Sequence, residues 1–387
     1  MDHGLPAAGA GDGLVAYGAP LPPPPLPAEQ TAFGFDMMAA AAAGPLPAPS
    51  LADFGEPAVA AAPLPRPPRG GQAFAHVLIP LCKRGEGAAI ERHLAADTAC
   101  VEEVDDEGNT PLHVSVEAPR NEVATVQILL QYGANVNAAN CLGATPLHYV
   151  CLRKSNWRGI ANILLENGAA IDAQTLAGKT ALHFACEQQV PELVEVLCLF
   201  GANANLVDSE GNGAIHLALA KPGRDTVKHS LLEHVLGTQA TVLSPNAAGH
   251  VSIHLACRGG YLRCLQYLLD SKADLSVLSA RRESCLHFAV SAGHAEVTQF
   301  LTDAARHLVD HVDEDNNTPL HVCAYTGNHD CAIVLLRNGA KAGLRNREGK
   351  TPLEVSKIRG TDLSSTHSLE LEHLLRDAQP GGGCRQS

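Results

Sequence analysis

One four-residue phrase recurs along this chain, and its period limits the fold more than any other feature. Thr110-Pro111-Leu112-His113 returns as Thr145-Pro146-Leu147-His148, Thr180-Ala181-Leu182-His183 and Gly213-Ala214-Ile215-His216. It continues as Val251-Ser252-Ile253-His254, Ser284-Cys285-Leu286-His287 and Thr318-Pro319-Leu320-His321, and closes as Thr351-Pro352-Leu353-Glu354. The last residues of successive phrases are 35, 35, 33, 38, 33, 34 and 33 apart. A unit of that size cannot bury its apolar face alone, so the units must stack on one another in an array.

The chemistry of the phrase starts a helix. Thr caps the first turn, Pro tolerates the first helical position, and Leu turns into the core. The histidine can bond to backbone of its own phrase and of the neighbouring unit, which makes His113, His148, His183, His216, His254, His287 and His321 structural residues, with Thr110, Thr145, Thr180 and Thr318 as their caps. A glycine five residues before the histidine (Gly108, Gly143, Gly178, Gly211, Gly249) forms a hairpin turn, with Asn316 standing in once. A second marker, Gly133-Ala134-Asn135, Gly168-Ala169-Ala170, Gly201-Ala202-Asn203 and Gly339-Ala340, ends a second helix.

Phrase and period together resemble the ankyrin-repeat family. The resemblance covers about residues 73–378 and implies an all-α solenoid of helix-turn-helix units joined by β-hairpin loops. Counting from the anchors gives units near 73–105, 106–140, 141–175, 176–208, 209–246, 247–279, 280–313, 314–346 and 347–378, followed by a flexible tail, 379–387. The first lacks the phrase and the last is shortened, as expected of units that close the ends of a shared core. The unit at 209–246 departs most: Gly213 replaces the capping Thr and the next phrase comes late, so a weak joint is expected there.

Residues 1–72 are different in kind. They hold 15 of the 25 prolines, with the run Pro22 to Pro25 and an alanine run from Ala39 to Ala43, and are expected to be a disordered arm. The run Leu21 to Pro27 is of the type that EVH1 and WW domains bind, so such a domain is one candidate partner; a plain tether is the other reading.

Composition narrows the function. Aromatics make up 4% of the chain, too few for a β-sandwich, and 28 Lys plus Arg against 41 Asp plus Glu give a net charge of −13. That balance disfavours nucleic acid and anionic membranes, and no apolar run is long enough to form a membrane span. The twelve cysteines form no Cys-x-x-Cys pair and read as free thiols in the cytoplasm or nucleus; the amino terminus carries no secretory pattern. No phosphate loop, Gly-x-Ser-x-Gly elbow, His-Glu-x-x-His pair or zinc quartet occurs. Phrase histidines one unit apart, roughly 10 Å, cannot share a metal. The reading is therefore a non-enzyme with no cofactor.

What the resemblance implies is a protein-recognition module, acting as scaffold, adaptor or regulatory inhibitor, that takes its partner on the concave face made by hairpin tips and first helices. A recruiting or inhibitory subunit of a ubiquitin ligase or phosphatase is the alternative, and a cryptic enzyme a third. Register places Leu142, Leu152 and Leu176 on that face as an apolar anchor, with Arg153 and Lys179 beside them, His250, Arg258, Arg281 and Arg282 as a basic strip, and Tyr325 beyond them. Such a face would suit a peptide carrying apolar and acidic residues. Asn137 and Asn205 stand where asparaginyl hydroxylases modify ankyrin proteins, and Cys384 opens a degenerate prenylation box, Cys384-Arg385-Gln386-Ser387.

Overall fold

Each phrase becomes the start of a short helix, and each helix is followed by a second, antiparallel one. The computed structural model describes residues 77–118, 123–153, 156–238, 240–359 and 366–379. All of these lie within one compact unit, Glu56–Ser387. The arm at 1–72 and Cys384 lie outside the described residues, as do the positions 119–122 and 154–155 where the first long spacings fall.

Among the described residues nine helix pairs follow in order. They are α1 (Leu78–Arg84) with α2 (Gly87–Ala96), α3 (Pro111–Glu117) with α4 (Val123–Gln131), and α5 (Pro146–Val150) with α6 (Trp157–Glu166). Next come α7 (Ala181–Glu187) with α8 (Pro191–Leu199), α9 (Ala214–Ala220) with α10 (Asp225–Leu236), and α11 (Ser252–Gly259) with α12 (Leu262–Asp270). The array closes with α13 (Cys285–Ala292) and α14 (Ala295–Ala304), α15 (Pro319–Thr326) and α16 (His329–Arg337), and α17 (Pro352–Arg359) and α18 (Thr366–Asp377). First helices stack on first helices, α1 on α3 through α15 on α17, and second helices on second helices from α2 through α12 and again from α14 through α18. The chain is an all-α repeat solenoid.

The core is the seam between the two layers. The phrase leucines and isoleucines Leu112, Leu147, Leu182, Ile253, Leu286 and Leu320 are buried, facing Ile160, Leu164, Leu193, Leu197, Leu265 and Leu301 of the second layer. Small side chains let the thin helices approach closely. Cys151, Cys186, Cys257 and Cys323 fill such positions in first helices, and burial pushes the thiols of Cys151, Cys186 and Cys323 up, away from the reactive thiolate.

The hairpin loops differ from the expected β-hairpins. Among the described residues they contain a single β-bridge, Val207 with Gly213. The reason is local: one side chain takes over the bonds a strand would make. Asn140 Oδ1 accepts the backbone N–H of Leu142 at 3.0 Å and of Ala144 at 2.9 Å, and Asp208 and Asp313 do the same in their own loops. These fingers are turns closed by an Asx motif, without paired strands.

The late phrase at 254 also has a structural answer. Helix α10 is 12 residues long, against nine or ten in the other second helices from α4 to α16. The extra length is an added first turn, so that Lys228 stands three, four and seven residues before the buried Leu231, Leu232 and Val235. Tyr261 and His294 stand in the same relation to their own helices.

Candidate protein-binding face

The phrase histidines make two bonds each and thereby join neighbouring units. In the first, the backbone N–H of Thr110, Thr145, Thr180, Gly213, Val251, Ser284 and Thr318 donates to Nδ1 of the histidine three residues on, at 3.0 to 3.3 Å. Nδ1 is thus the acceptor, and Nε2 carries the proton. Nε2 then donates to a carbonyl of the next unit: His113 to Ala144 at 2.9 Å, His183 to Asn212 at 3.2 Å, His216 to His250 at 3.0 Å, His287 to Asn317 at 3.0 Å and His321 to Lys350 at 3.0 Å. His148 reaches Ala173 and Lys179, and His254 reaches Val277. Burial disfavours the charged ring and lowers the pKa of six of them, His148 and His287 to about 4.

With the fingers held in this way, their tips form a row. The Cys141 N–H donates to Glu107 O at 3.0 Å, Leu176 to Leu142 O at 2.9 Å, Ser209 to Ala177 O at 2.9 Å and Ala247 to Glu210 O at 2.9 Å. The row resumes with Glu314 to Arg281 O and Arg347 to Asp315 O; no such bond joins Ala248 and Ala280. Leu142 and Leu176 are therefore adjacent on consecutive tips, and their side chains are 45% and 58% exposed. Exposed Cys141 lies beside them, and Leu152 is half-buried.

The charged residues expected on this face divide into three groups. Arg153 departs from expectation: it is 7% exposed and folds inward, donating to Val116 O at 2.6 Å and Ala118 O at 2.9 Å, where it caps the end of α3. The bare carbonyls there attract the guanidinium more than solvent does. Lys179 is tied down by Glu187 at 3.0 Å, which also takes Lys221 at 3.3 Å. Arg281 is exposed but paired with Glu314 at 2.8 Å and Asp315 at 3.7 Å. Arg258 and Arg282 remain exposed without an ion pair among the described residues, and Tyr325 is exposed further along. The basic strip is reduced to two guanidiniums.

Two devices escape a reading of the phrase alone. One is a side chain that reaches back to the previous unit. Tyr261 donates from its hydroxyl to Lys221 O at 3.0 Å, His294 from Nε2 to Arg258 O at 3.0 Å, and Asn328 from Nδ2 to Val290 O at 2.7 Å. All three fall seven residues after a phrase histidine, a signal present in the sequence but spread over three residue types. The other is a ladder below the fingers, in which a side chain accepts a backbone N–H of the next unit. Its rungs are Glu102 to Asn135, Asn137 to Ala170, Asp172 to Asn203, Asn205 to Thr241 and Asp310 to Lys341. Asn137 and Asn205 are two of these rungs, exposed but with their amide oxygens engaged.

Among the described residues no three His, Cys, Asp or Glu side chains gather as a metal site would require, and no helix is long and apolar enough to cross a membrane. The family model for ankyrin repeats matches three times, over residues 78–175, 152–243 and 253–346. The chain belongs to the ankyrin-repeat family, whose arrays are protein–protein interaction modules and generally non-enzymatic. It is similar to the nuclear factor NF-kappa-B p105 subunit of Gallus gallus, 34% identical over 158 residues, which are 41% of this chain and 16% of that protein. It is also similar to a transient receptor potential cation channel subfamily A member 1 homolog of Caenorhabditis elegans, 27% identical over 165 residues, 43% of this chain and 13% of the channel. Synphilin-1 of Mus musculus is 25% identical over 171 residues, again 43% of this chain and 17% of the relative. The chain thus spans less than a fifth of each of these relatives.

Proposed function

We propose that the protein is a non-enzymatic scaffold, adaptor or regulatory inhibitor that binds its partner across the finger tips of the units at 141–175 and 176–208. The observation that carries this reading is the pair Leu142 and Leu176, exposed on adjoining tips where solvent-facing turns ordinarily carry polar residues. Arg258 and Arg282, two and three units beyond the unit at 176–208 and without an ion pair among the described residues, supply a separate electrostatic contact. Together they favour an extended partner segment with aliphatic anchors at one end and acidic residues at the other. The eleven described cysteines are all free thiols, which supports placement in the cytoplasm or nucleus.

The test substitutes Leu142→Asp together with Leu176→Asp in the full chain. Recovery of the proteins that co-purify with the wild type should fall, while the thermal melt stays unchanged because both side chains are outside the core. Undiminished recovery would remove the tips from the binding site.

A further inference from the structure

Five second helices, α4, α6, α8, α12 and α16, end at a residue of positive φ, and α8 differs from the other four in what precedes it. Just before the residue of positive φ that ends the helix, the chain carries Gln131-Tyr132, Glu166-Asn167, Asp270-Ser271 and Arg337-Asn338. At the same two positions α8 carries Leu199-Phe200, followed by Gly201. Leu199 is 76% exposed, the most exposed large apolar side chain among the described residues, and Phe200 is 46% exposed. A second apolar substitution falls in the next unit. Leu243 occupies the ladder position held elsewhere by Glu102, Asn137, Asp172, Asn205 and Asp310; it accepts no bond there and is 48% exposed. The core gains nothing from either change.

The charge at these helix ends is mainly acidic. Glu166, Glu195, Glu233 and Asp270 lie on α6, α8, α10 and α12, and the last turns of those helices contain no Lys or Arg. Lys272, just past α12, and Arg263, which lines a pocket with His229 and Asp270, are the neighbouring cations. Helix carboxyl ends add partial negative charge of their own. A second copy of this chain pairing through the same helix ends would set these carboxylates against each other, so self-association does not fit them.

We propose that exposed Leu199 and Phe200 at the end of α8, with exposed Leu243 in the next unit, are a second docking surface, separate from the finger tips. Its occupant is a basic amphipathic segment of another protein, with aliphatic or aromatic residues on one face and Lys or Arg on the flanks. The two surfaces sit on opposite kinds of element, tips and first helices against second-helix ends, which would let one array hold two proteins at once.

The experiment pans a phage-displayed random peptide library, of about 16 residues per peptide to allow a short helix, on the full chain. Counter-selection uses Leu199→Glu with Phe200→Asn, the pair that α6 carries at these positions. The enriched peptides should be net basic with apolar residues at helical spacing. As synthetic peptides they should lose at least about tenfold in affinity on the double variant, weaken with added salt, and bind Leu142→Asp with Leu176→Asp as they bind the wild type. No enrichment over the double variant, an acidic consensus, or concentration-dependent self-association abolished by the double variant would each overturn the proposal.

Discussion

His287 holds two polar groups that would otherwise be buried unpaired: a backbone N–H of its own unit and a carbonyl of the next. Replacing His287 by Ala leaves both without partners, at a cost of about 1–3 kcal/mol for each group not reached by water. The neutral ring is also the working form, which sets a pH dependence. Because the folded pKa values of His113, His148, His183, His216, His287 and His321 lie below the unfolded value of 6.5, the unfolded chain binds more protons as pH falls through that range. Stability is therefore full above 6.5 and lost progressively toward about 4, where His148 and His287 titrate. Melting temperatures measured from pH 7 to 4 should fall steeply, and His287→Gln should make the fall shallower. Position 282 makes a different point. Its unit has an Arg where the turn glycine belongs, at φ 60, a conformation that costs a residue with a Cβ about 1 kcal/mol. Arg282→Gly should stabilise the chain by about that amount in urea unfolding. The caps and histidines were legible because one residue type recurs at one spacing. Arg153 was not, since an arginine written at a surface register was drawn in by carbonyls that only the stacked neighbour supplies.

At the scale of the element, α10 shows what an insertion does to a repeat. The added turn puts Lys228 at the register of Tyr261 and His294, entirely buried, with its ammonium donating to Ala218 O and standing 5.6 Å from the Tyr261 ring centroid. It caps α9 as its counterparts cap other first helices, but with a charge. Burial lowers its pKa to about 8, opposed by Cys264 and Cys186 and assisted by Lys221. The folded value lies below the unfolded one, so the penalty is full below about pH 8 and is relieved as pH rises toward 10.5. Wild type should gain on the order of 2 kcal/mol relative to Lys228→Met across that window, read from paired unfolding curves. A parallel pair of curves would show that the amine is already solvated. The spacing of 38 announced an irregular unit, but its site and its buried lysine followed from helix register, which spacing alone does not fix.

Across the whole molecule the bonds between units are unequal. The phrases at Gly213 and Val251 lack the hydroxyl that elsewhere sits beside the histidine, the side-chain ladder is interrupted from Leu243 until Asp310, and the row of fingertip bonds is missing between Ala248 and Ala280. The family-model matches leave the same region, 244–252, between their second and third copies. In a linear array the weakest interface opens first. Hydrogen exchange should be fastest, and limited proteolysis first, around 237–250; uniform protection across units would contradict this. The division of the apolar surface is clearer in the folded molecule than in the chain. Leu142 and Leu176 could be placed from register, whereas Leu199 and Phe200 read as ordinary helix residues until the ends of all the second helices are compared. The central claim is that the finger-tip leucines hold the partner. It is tested most directly by titrating the principal protein that co-purifies with the full chain against wild type, Leu142→Asp with Leu176→Asp, and Leu199→Glu with Phe200→Asn, in one calorimetric series. The finger-tip variant should lose at least about tenfold in affinity. Equal affinity of wild type and that variant would contradict it.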